Sequence, residues 1–203
     1  MELELKRGGR TARVETLGGE LVSYRDERGL EYIWGGDPAY WPGRNPLLFP
    51  IVGMLKEGKI RFDGREYAME RHGFARRRKF TPAARGEDWV RLELRESAET
   101  LALYPYPFRL AVEQRLTDTG FSTAVTVANP GEGPLPFCLG AHTGFRCPLE
   151  AGERFEDYEL VFPERESCPT LLLRDGLLDR PAALPCLEDT DTLPLDYRWF
   201  DAL

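Results

Sequence analysis

Residues 59–69 read KIRFDGREYAM, and they carry the clearest structural signal in the sequence. Two β-patterned runs, Lys59–Phe62 and Arg65–Met69, flank the pair Asp63-Gly64. Aspartate and glycine tolerate the positive φ angles that a two-residue hairpin turn requires. We therefore predict a β-hairpin over this stretch.

Further short runs typical of β-strands lie on both sides of this hairpin, bounded by glycine, proline and aspartate. They are Met1–Lys6, Thr11–Leu17, Leu21–Tyr24, Trp89–Leu94, Arg109–Leu116 and Phe121–Ala128. The first three predict an antiparallel meander, and the last two predict a pair joined by a tight turn. Within Arg109–Leu116 the apolar residues Leu110, Val112 and Leu116 share one parity, which Gln114 interrupts.

Helical patterns are nearly absent from the sequence. Ser97–Leu103 alone could start a helix, with Ser97 as its N-cap, and Pro105 and Pro107 would stop it within two turns. We expect one turn at most. The tail from Arg174 to Leu203 has the weakest pattern, and we expect little regular structure there. The sequence therefore predicts an all-β fold.

Composition limits the classes of protein to which the chain can belong. With 203 residues and no convincing internal boundary, we predict a single domain over residues 1–203. Lysine and arginine number 27 against 34 aspartates and glutamates, and this net charge of −7 argues against a nucleic-acid partner. We find no apolar run long enough to span a membrane and no secretory signal at Met1. We therefore expect a cytoplasmic protein with no membrane partner.

Motifs that bind metals or cofactors are not found in the sequence. The four cysteines, Cys138, Cys147, Cys168 and Cys186, form no Cys-x-x-Cys pair, and we expect them to be buried free thiols. There is no phosphate-binding glycine loop, no Gly-x-Ser-x-Gly elbow and no His-Glu-x-x-His pair. We therefore predict neither a metal nor a cofactor.

The two histidines are the candidate catalytic residues. His72 lies in the segment RHGFAR and His142 in LGAHTGF, so a glycine and then a phenylalanine follow each of them closely. Both lie just outside strand-like runs, where a sheet can present a side chain to a cleft. Imidazole has an unperturbed pKa near neutrality, which suits acid–base catalysis. The alternative is that each is a hydrogen-bonded structural residue.

Three parts of the sequence, taken in order, resemble the aldose 1-epimerases, or galactose mutarotases, and in particular their bacterial branch with compact motifs. They are Arg44–Gly53, His72–Arg76, and the long stretch that contains Tyr104–Phe108, Val127–Pro130 and Leu135–His142. Together they span about half of the chain. The resemblance implies an antiparallel β-supersandwich, in agreement with the all-β prediction.

The reaction of this family explains why two histidines would be needed. Interconversion of the α and β anomers of an aldose removes a proton from the C1 hydroxyl and adds one to the ring oxygen, so that the ring opens and recloses. The resemblance implies that His142 protonates the ring oxygen and that His72 holds and polarises the sugar. Arg44 and Arg76 are then expected to donate to hydroxyls or to a negative substituent.

The family's general base is a glutamate on a late strand, and no glutamate of this sequence matches it. By resemblance that strand lies beyond Leu203, so we expect a supersandwich that lacks its last strands. Glu164, Glu166 and Glu188 are available carboxylates, which we expect to be solvated in a proline-flanked loop and an acidic tail. Asp201 is assigned to substrate binding, because the family has an aspartate before a late strand.

Alternatives to a catalytic aldose 1-epimerase remain open. One is a non-catalytic sugar-binding protein in which Trp34, Trp41 or Trp89 stacks on the sugar. We assign Trp41, three residues before Arg44, to substrate binding. Another is a hexose 6-phosphate epimerase in which the basic cluster at residues 71–79 grips the phosphate. A homodimer that covers an exposed sheet edge is a further expectation.

Overall fold

The computed structural model describes residues 1–199, with the backbone alone described at residues 180–185 and 199. Asp201, which the sequence assigned to substrate binding, lies outside the described residues. The chain divides into two compact units, Met1–Arg146 and Cys147–Leu203. The single domain predicted over residues 1–203 stays a prediction.

Antiparallel β-strands are the main regular secondary structure of the first unit. Its strands within the described residues are β1 (Glu2–Arg7), β2 (Arg10–Glu15), β3 (Leu21–Arg25), β4 (Leu47–Leu48), β5 (Lys59–Phe62), β6 (Arg65–Ala68), β7 (Thr81–Arg85), β8 (Trp89–Arg95), β9 (Arg109–Leu116), β10 (Phe121–Ala128) and β11 (Gly140–Ala141). They form a three-stranded sheet β1-β2-β3, a four-stranded sheet β10-β9-β8-β7, and the pairs β5-β6 and β4-β11.

The hairpin predicted from KIRFDGREYAM is confirmed. β5 and β6 pair antiparallel, with Phe62 opposite Arg65. Asp63 and Gly64, which connect them, have φ angles of 46° and 79°. Both angles fall in the left-handed region that a two-residue turn of this kind needs. The predicted meander at the N-terminus is confirmed as well, since β1 pairs with β2 and β2 with β3, all antiparallel.

The four-stranded sheet explains the polar residue that interrupts the pattern of β9. Gln114 is buried like its apolar neighbours on the same face. Its side-chain amide donates to the carbonyl of Gly19 at 3.0 Å and accepts from the hydroxyl of Thr123 at 2.6 Å. A buried amide costs little when its donor and its acceptor are both paired. Gln114 therefore belongs to the core face.

Aromatic rings form the centre of the core. Phe49 is fully buried, as are Phe80, Tyr104 and Phe108. The ring of Phe49 lies 5.2 Å from that of Phe108 and 6.0 Å from that of Tyr104, measured between centroids. Burial of a large side chain of this kind stabilises a fold by about 1.5–3 kcal/mol. The chain on either side of Phe49 is therefore firmly anchored.

The helical turn predicted within Ser97–Leu103 is confirmed. Helix α1 spans Ala98–Leu101. The hydroxyl of Ser97 accepts from the backbone N–H of Thr100, and the hydroxyl of Thr100 accepts in turn from the N–H of Ser97. This reciprocal capping satisfies two donors that a helix start would otherwise leave unpaired.

The second unit contains a long antiparallel ribbon that the sequence analysis missed. Strand β12 (Glu159–Arg174) pairs with β13 (Leu177–Pro194), with several shifts in register along its length. The expectation of little regular structure after Arg174 is therefore wrong. Prolines interrupt the strand-like pattern in this part of the sequence. A two-stranded ribbon tolerates them at positions on its outer edges, because an N–H there has no neighbouring strand to pair with.

The three candidate glutamates lie in this ribbon. Glu164 and Glu166 are in β12 and Glu188 is in β13, so the loop and tail predicted for them are wrong. All three are exposed, which confirms that they are surface groups. In the described part of the chain, no helix has the length and apolarity that a membrane span requires.

Candidate active site

One stretch of the chain, residues 46–53, brings the two histidine segments together. β4 pairs with β11, which places Leu47 opposite Ala141. The N–H of His142 then donates to the carbonyl of Pro46 at 3.1 Å. Further along, Phe49 bridges to Gly73 in parallel orientation, and the N–H of Phe74 donates to the carbonyl of Phe49 at 3.0 Å. The same stretch therefore supports both histidines.

His72 is fixed by two hydrogen bonds to one residue. Its N–H donates to the carbonyl of Gly53 at 2.8 Å, and its Nδ1 accepts from the N–H of Gly53 at 3.0 Å. A backbone N–H can only donate, so Nδ1 carries no proton here, and the proton of the neutral ring is on Nε2. His72 also has a φ of 67°. Such a conformation is costly for a residue with a Cβ and is typical of functional sites.

The surroundings of His72 favour its neutral form. Burial lowers the pKa of His72, and the positive charges of Arg76 and Arg71 and the neighbouring His142 lower it further. Burial disfavours a charged imidazole because water no longer solvates it, and the two guanidinium groups repel it. At neutral pH His72 is therefore an uncharged donor through its Nε2–H.

Gly73 is required at its position. Its φ is 69°, and an ideal Cβ would lie 2.2 Å from the carbonyl oxygen of Phe49. No side chain fits at that distance, and the obstacle is backbone that cannot rotate away. The glycine after His72 in the sequence is thus explained by the close approach of this loop to the stretch at Phe49.

His142 faces His72 across the site. The centroids of the two imidazole rings lie 6.2 Å apart, at an angle of 64°. His142 is exposed, whereas His72 is half-buried. The ring of His142 also stacks on the indole of Trp41, with centroids 4.7 Å apart and planes 29° from parallel. The structure therefore brings together three of the residues that the sequence singled out.

Arg44 lies in the same loop as Trp41, and a network of hydrogen bonds holds its backbone. The carboxylate of Glu20 accepts from the N–H groups of Arg44 and Asn45 at 2.8 and 2.6 Å. The carbonyl of Arg44 accepts from the N–H of Gly144 at 2.6 Å. The guanidinium lies over Gly36, where a Cβ would come within 2.9 Å of the Arg44 Cζ. This backbone is thus tied to the segment that carries His142.

Sequence reasoning missed Glu20, Asn45 and Thr143 as members of this network. Asn45 is 9% exposed, and its Oδ1 accepts from the hydroxyl of Thr143 at 2.6 Å. Asn45 and Thr143 each neighbour a residue that the sequence singled out, which was the available signal. Nothing in the sequence around Glu20 indicated that it would hold a loop more than twenty residues away.

Arg76 lies close enough to His72 to affect its charge. Its Nη2 donates to the carbonyl of Arg71 at 2.9 Å, and its Nε is buried with no hydrogen-bond partner in the described part of the chain. Burial lowers the pKa of Arg76, and Arg77 adds to the effect. Arg77 pairs with Glu70, and Arg78 pairs with Glu99. Two arginines of the basic cluster at residues 71–79 are therefore already paired with carboxylates.

The other tryptophans are engaged in contacts of their own. The guanidinium of Arg115 lies over the ring of Trp89, 4.9 Å from its centroid. The indole Nε1 of Trp34 donates to the carbonyl of Trp41 at 2.8 Å, and its ring meets Tyr40 edge-on. Trp34 is therefore part of the loop that carries Trp41.

We find no metal site among the described residues. No group of three or more histidine, cysteine, aspartate or glutamate side chains there is arranged to hold an ion. The four cysteines are free, but Cys138 and Cys168 are exposed and Cys147 and Cys186 are half-buried. The expectation of buried thiols is therefore wrong. Cys168 and Cys186 lie in β12 and β13, strands that pair only with each other within the described residues.

Comparison with known sequences defines the class of this protein. The profile of the aldose 1-epimerase family matches residues 1–178. The chain belongs to the aldose 1-epimerase family. Among its relatives, the plasmid and chromosomal forms of protein LacX from Lactococcus lactis subsp. lactis are each 40% identical over 208 residues, which cover 98% of this chain and 70% of the relative.

Solved structures confirm the galactose mutarotase-like sandwich. A galactose mutarotase related enzyme from Lactobacillus acidophilus superposes with a TM-score of 0.90 and 27% identity, over 99% of this chain and 67% of that chain. A galactose mutarotase-like protein from Lactobacillus casei gives a TM-score of 0.85 and 30% identity, over 98% and 68%. The antiparallel β-sandwich predicted from the sequence is thus confirmed.

Proposed function

We propose that this protein binds a free aldose of the glucose or galactose type and interconverts its α and β anomers. The observation that carries the proposal is the pair His72 and His142, whose rings lie 6.2 Å apart although they are distant in the sequence. Membership of the aldose 1-epimerase family supports the class of reaction.

In the proposed mechanism each histidine has one task. His142, in its protonated form, gives a proton to the ring oxygen as the bond between that oxygen and C1 breaks. The neutral His72 donates from Nε2 to a sugar oxygen and orients it. The C1 hydroxyl loses its proton to a base and becomes the aldehyde. Rotation about C1–C2 and the reverse steps then give the other anomer.

The positions of the remaining residues fit this division of work. The exposed His142 can exchange protons with water between turnovers, whereas the half-buried His72 stays neutral. Arg76 and Arg44 are proposed to donate to sugar hydroxyls. By resemblance to the family, the base that takes the proton of the C1 hydroxyl is a glutamate on a late strand.

Polarimetry of freshly dissolved α-D-glucose and α-D-galactose tests this proposal. The wild-type protein should speed the approach to the anomeric equilibrium above the buffer rate, and His142→Ala should return it to the buffer rate. Arg85→Ala, a change at an exposed position of β7, serves as the matched control and should keep the wild-type rate. A wild-type protein no faster than buffer would overturn the proposed catalysis.

A non-catalytic sugar-binding protein is the second candidate, in which the same two histidines hydrogen-bond the sugar without transferring a proton. This candidate predicts that calorimetry detects binding of glucose or galactose while polarimetry shows no acceleration. A substrate that carries a 6-phosphate is a variant of the first candidate, favoured by the positive charges of Arg71 and Arg76 beside His72. Inhibition of the mutarotation of glucose by glucose 6-phosphate, but not by inorganic sulfate, would support it.

A further inference from the structure

Trp41 has a neighbour that the sequence analysis did not foresee. The sequence assigned this indole to the sugar, but in the structure its ring stacks on the imidazole of His142, with centroids 4.7 Å apart and an angle of 29°. The imidazole therefore covers one face of the indole. An indole face that already stacks on the proposed catalytic histidine is covered, so a sugar cannot stack on that face.

Two glycines provide the space in which the indole lies. An ideal Cβ at Gly43 would come within 2.7 Å of Trp41 Cζ2, and one at Gly144 within 2.7 Å of Trp41 Cζ3. Atoms cannot approach this closely, so a larger residue at either position would displace the ring. Gly144 follows His142 by two residues, which ties the position of the indole to the segment that carries the imidazole.

The backbone around Trp41 is held independently of the stacking. The N–H of Trp41 donates to the carbonyl of Asp37 at 2.8 Å, and its own carbonyl accepts from the Nε1 of Trp34 at 2.8 Å. The N–H of Trp34 donates to the carbonyl of Gly144 at 2.9 Å. The backbone that carries the indole is therefore fixed beside His142.

The imidazole of His142 has few other restraints. Its backbone is fixed through Pro46, but its ring is exposed and contacts the rings of Trp41 and His72. In the part of the chain that the structure describes, the imidazole makes no hydrogen bond to the protein. A side chain on the surface normally samples several rotamers, and a stacked ring restricts that choice.

We propose that Trp41 is a positioning residue that acts through His142. Its indole holds the imidazole in the rotamer that faces His72, and the sugar does not stack on it. This inference rests on the proposed function, because the orientation of His142 matters to catalysis only if this residue transfers a proton to the sugar. Correct placement of a catalytic group is worth a large factor in rate, and a misplacement of about 1 Å costs roughly 100-fold.

Proton NMR of the ligand-free protein tests the stacking without any need for activity. The chain has two histidines, so the imidazole C–H signals are few and can be assigned with His72→Gln. The indole should shift the His142 signals to high field in the wild type. Trp41→Leu should move them to lower field, and Trp41→Phe should keep part of the shift. Trp89→Leu, which removes a tryptophan covered by Arg115, is the matched control and should leave them in place.

Steady-state kinetics of mutarotation separate positioning from direct sugar contact. If Trp41 acts through His142, Trp41→Leu should lower kcat by roughly 10- to 100-fold with KM little changed, and Trp41→Phe should restore most of kcat. Gly43→Ala should reproduce the loss, because the three atoms nearest to its methyl group all belong to the Trp41 indole, which is displaced but still present. A raised KM with unchanged kcat in Trp41→Leu would overturn the proposal and return Trp41 to the sugar.

The two experiments also separate this inference from the proposed function. His142 signals that do not move in Trp41→Leu would overturn the positioning role whatever the activity. A wild-type protein that shows the shift but no mutarotation would overturn the proposed catalysis, and with it any catalytic use of the stack. A protein that shows both the shift and the loss of kcat supports both.

Discussion

The segments that carry His72 and His142 are both supported by residues 46–53, yet they are restrained in different ways. His72 is half-buried, has a φ of 67°, and exchanges two hydrogen bonds with Gly53. His142 is exposed, follows a two-residue strand, and has an indole against its ring. The backbone of each histidine is hydrogen-bonded, but the ring of His72 is held at its Nδ1 and the ring of His142 by a stacking contact.

This difference matches the chemistry that the site is proposed to perform. A residue that must remain a neutral donor benefits from burial, nearby positive charge and a fixed tautomer, and His72 has all three. A residue that must gain and lose a proton in every turnover benefits from contact with water, and His142 has it. Variants that disturb one segment at a time can therefore test whether the two restraints are independent.

The largest effect is expected from Gly73→Ala, which disturbs the loop that holds His72. A Cβ there would lie 2.2 Å from a backbone carbonyl, at a φ of 69°. The positive φ and the steric overlap of the Cβ with the Phe49 carbonyl should together lower the free energy of unfolding by about 3 kcal/mol or more. Urea denaturation measures it, with Gly133→Ala as the control, because a Cβ at Gly133 meets open space. Equal stability of the two variants would contradict the account.

A smaller effect is expected from Thr143→Val, which removes a hydrogen bond that holds the segment of His142. Valine keeps the shape of threonine but removes the hydroxyl that donates to Asn45 at 2.6 Å. Asn45 is 9% exposed, so its oxygen would be left nearly without water and without this donor. The free energy of unfolding should fall by about 1–3 kcal/mol. The same change at the exposed Thr126 should cost less than about 0.5 kcal/mol, and an equal loss at both positions would argue against the network.

The smallest effect is a pH dependence that belongs to His72. The folded protein lowers the pKa of this imidazole, chiefly by burial, so the unfolded chain takes up a proton at a higher pH than the folded one. The free energy of unfolding should therefore decrease as the pH falls from about 6.5 through the folded pKa. Denaturation between pH 7 and 5 measures this slope, which should be shallower in His72→Gln. A steeper slope in the variant would show that the sign is wrong.

Local signals predicted one hairpin and one helical turn well. The hairpin at Asp63-Gly64 and the capped turn at Ser97 depend on residues next to each other in the chain, and both are confirmed. Strand β13 was missed because its prolines and aspartates resemble a loop, and only its pairing with β12 makes it a strand. The pair Asp175-Gly176, which joins β12 to β13 with φ angles of 51° and 78°, is a local turn signal like Asp63-Gly64 that the sequence analysis did not use.

The site depends on contacts between segments that are far apart in the sequence. His72, His142, Trp41 and Arg44 stand out in the sequence, but the stack of Trp41 on His142 depends on the pairing of β4 with β11 and on the space at Gly144. The two-way hydrogen bond between His72 and Gly53 depends on a loop that folds back over the stretch at Phe49. Contacts of this kind are made by the tertiary structure.

The central claim is that the two histidines act together on one sugar, and mutarotation rates of His72→Ala, His142→Ala and the double variant test it most directly. Residues that act as a unit give strongly non-additive losses. We predict that each single variant loses most of the acceleration of α-D-glucose or α-D-galactose mutarotation and that the double variant loses little more. Retention of the wild-type rate by His142→Ala, or losses that simply add, would contradict the account.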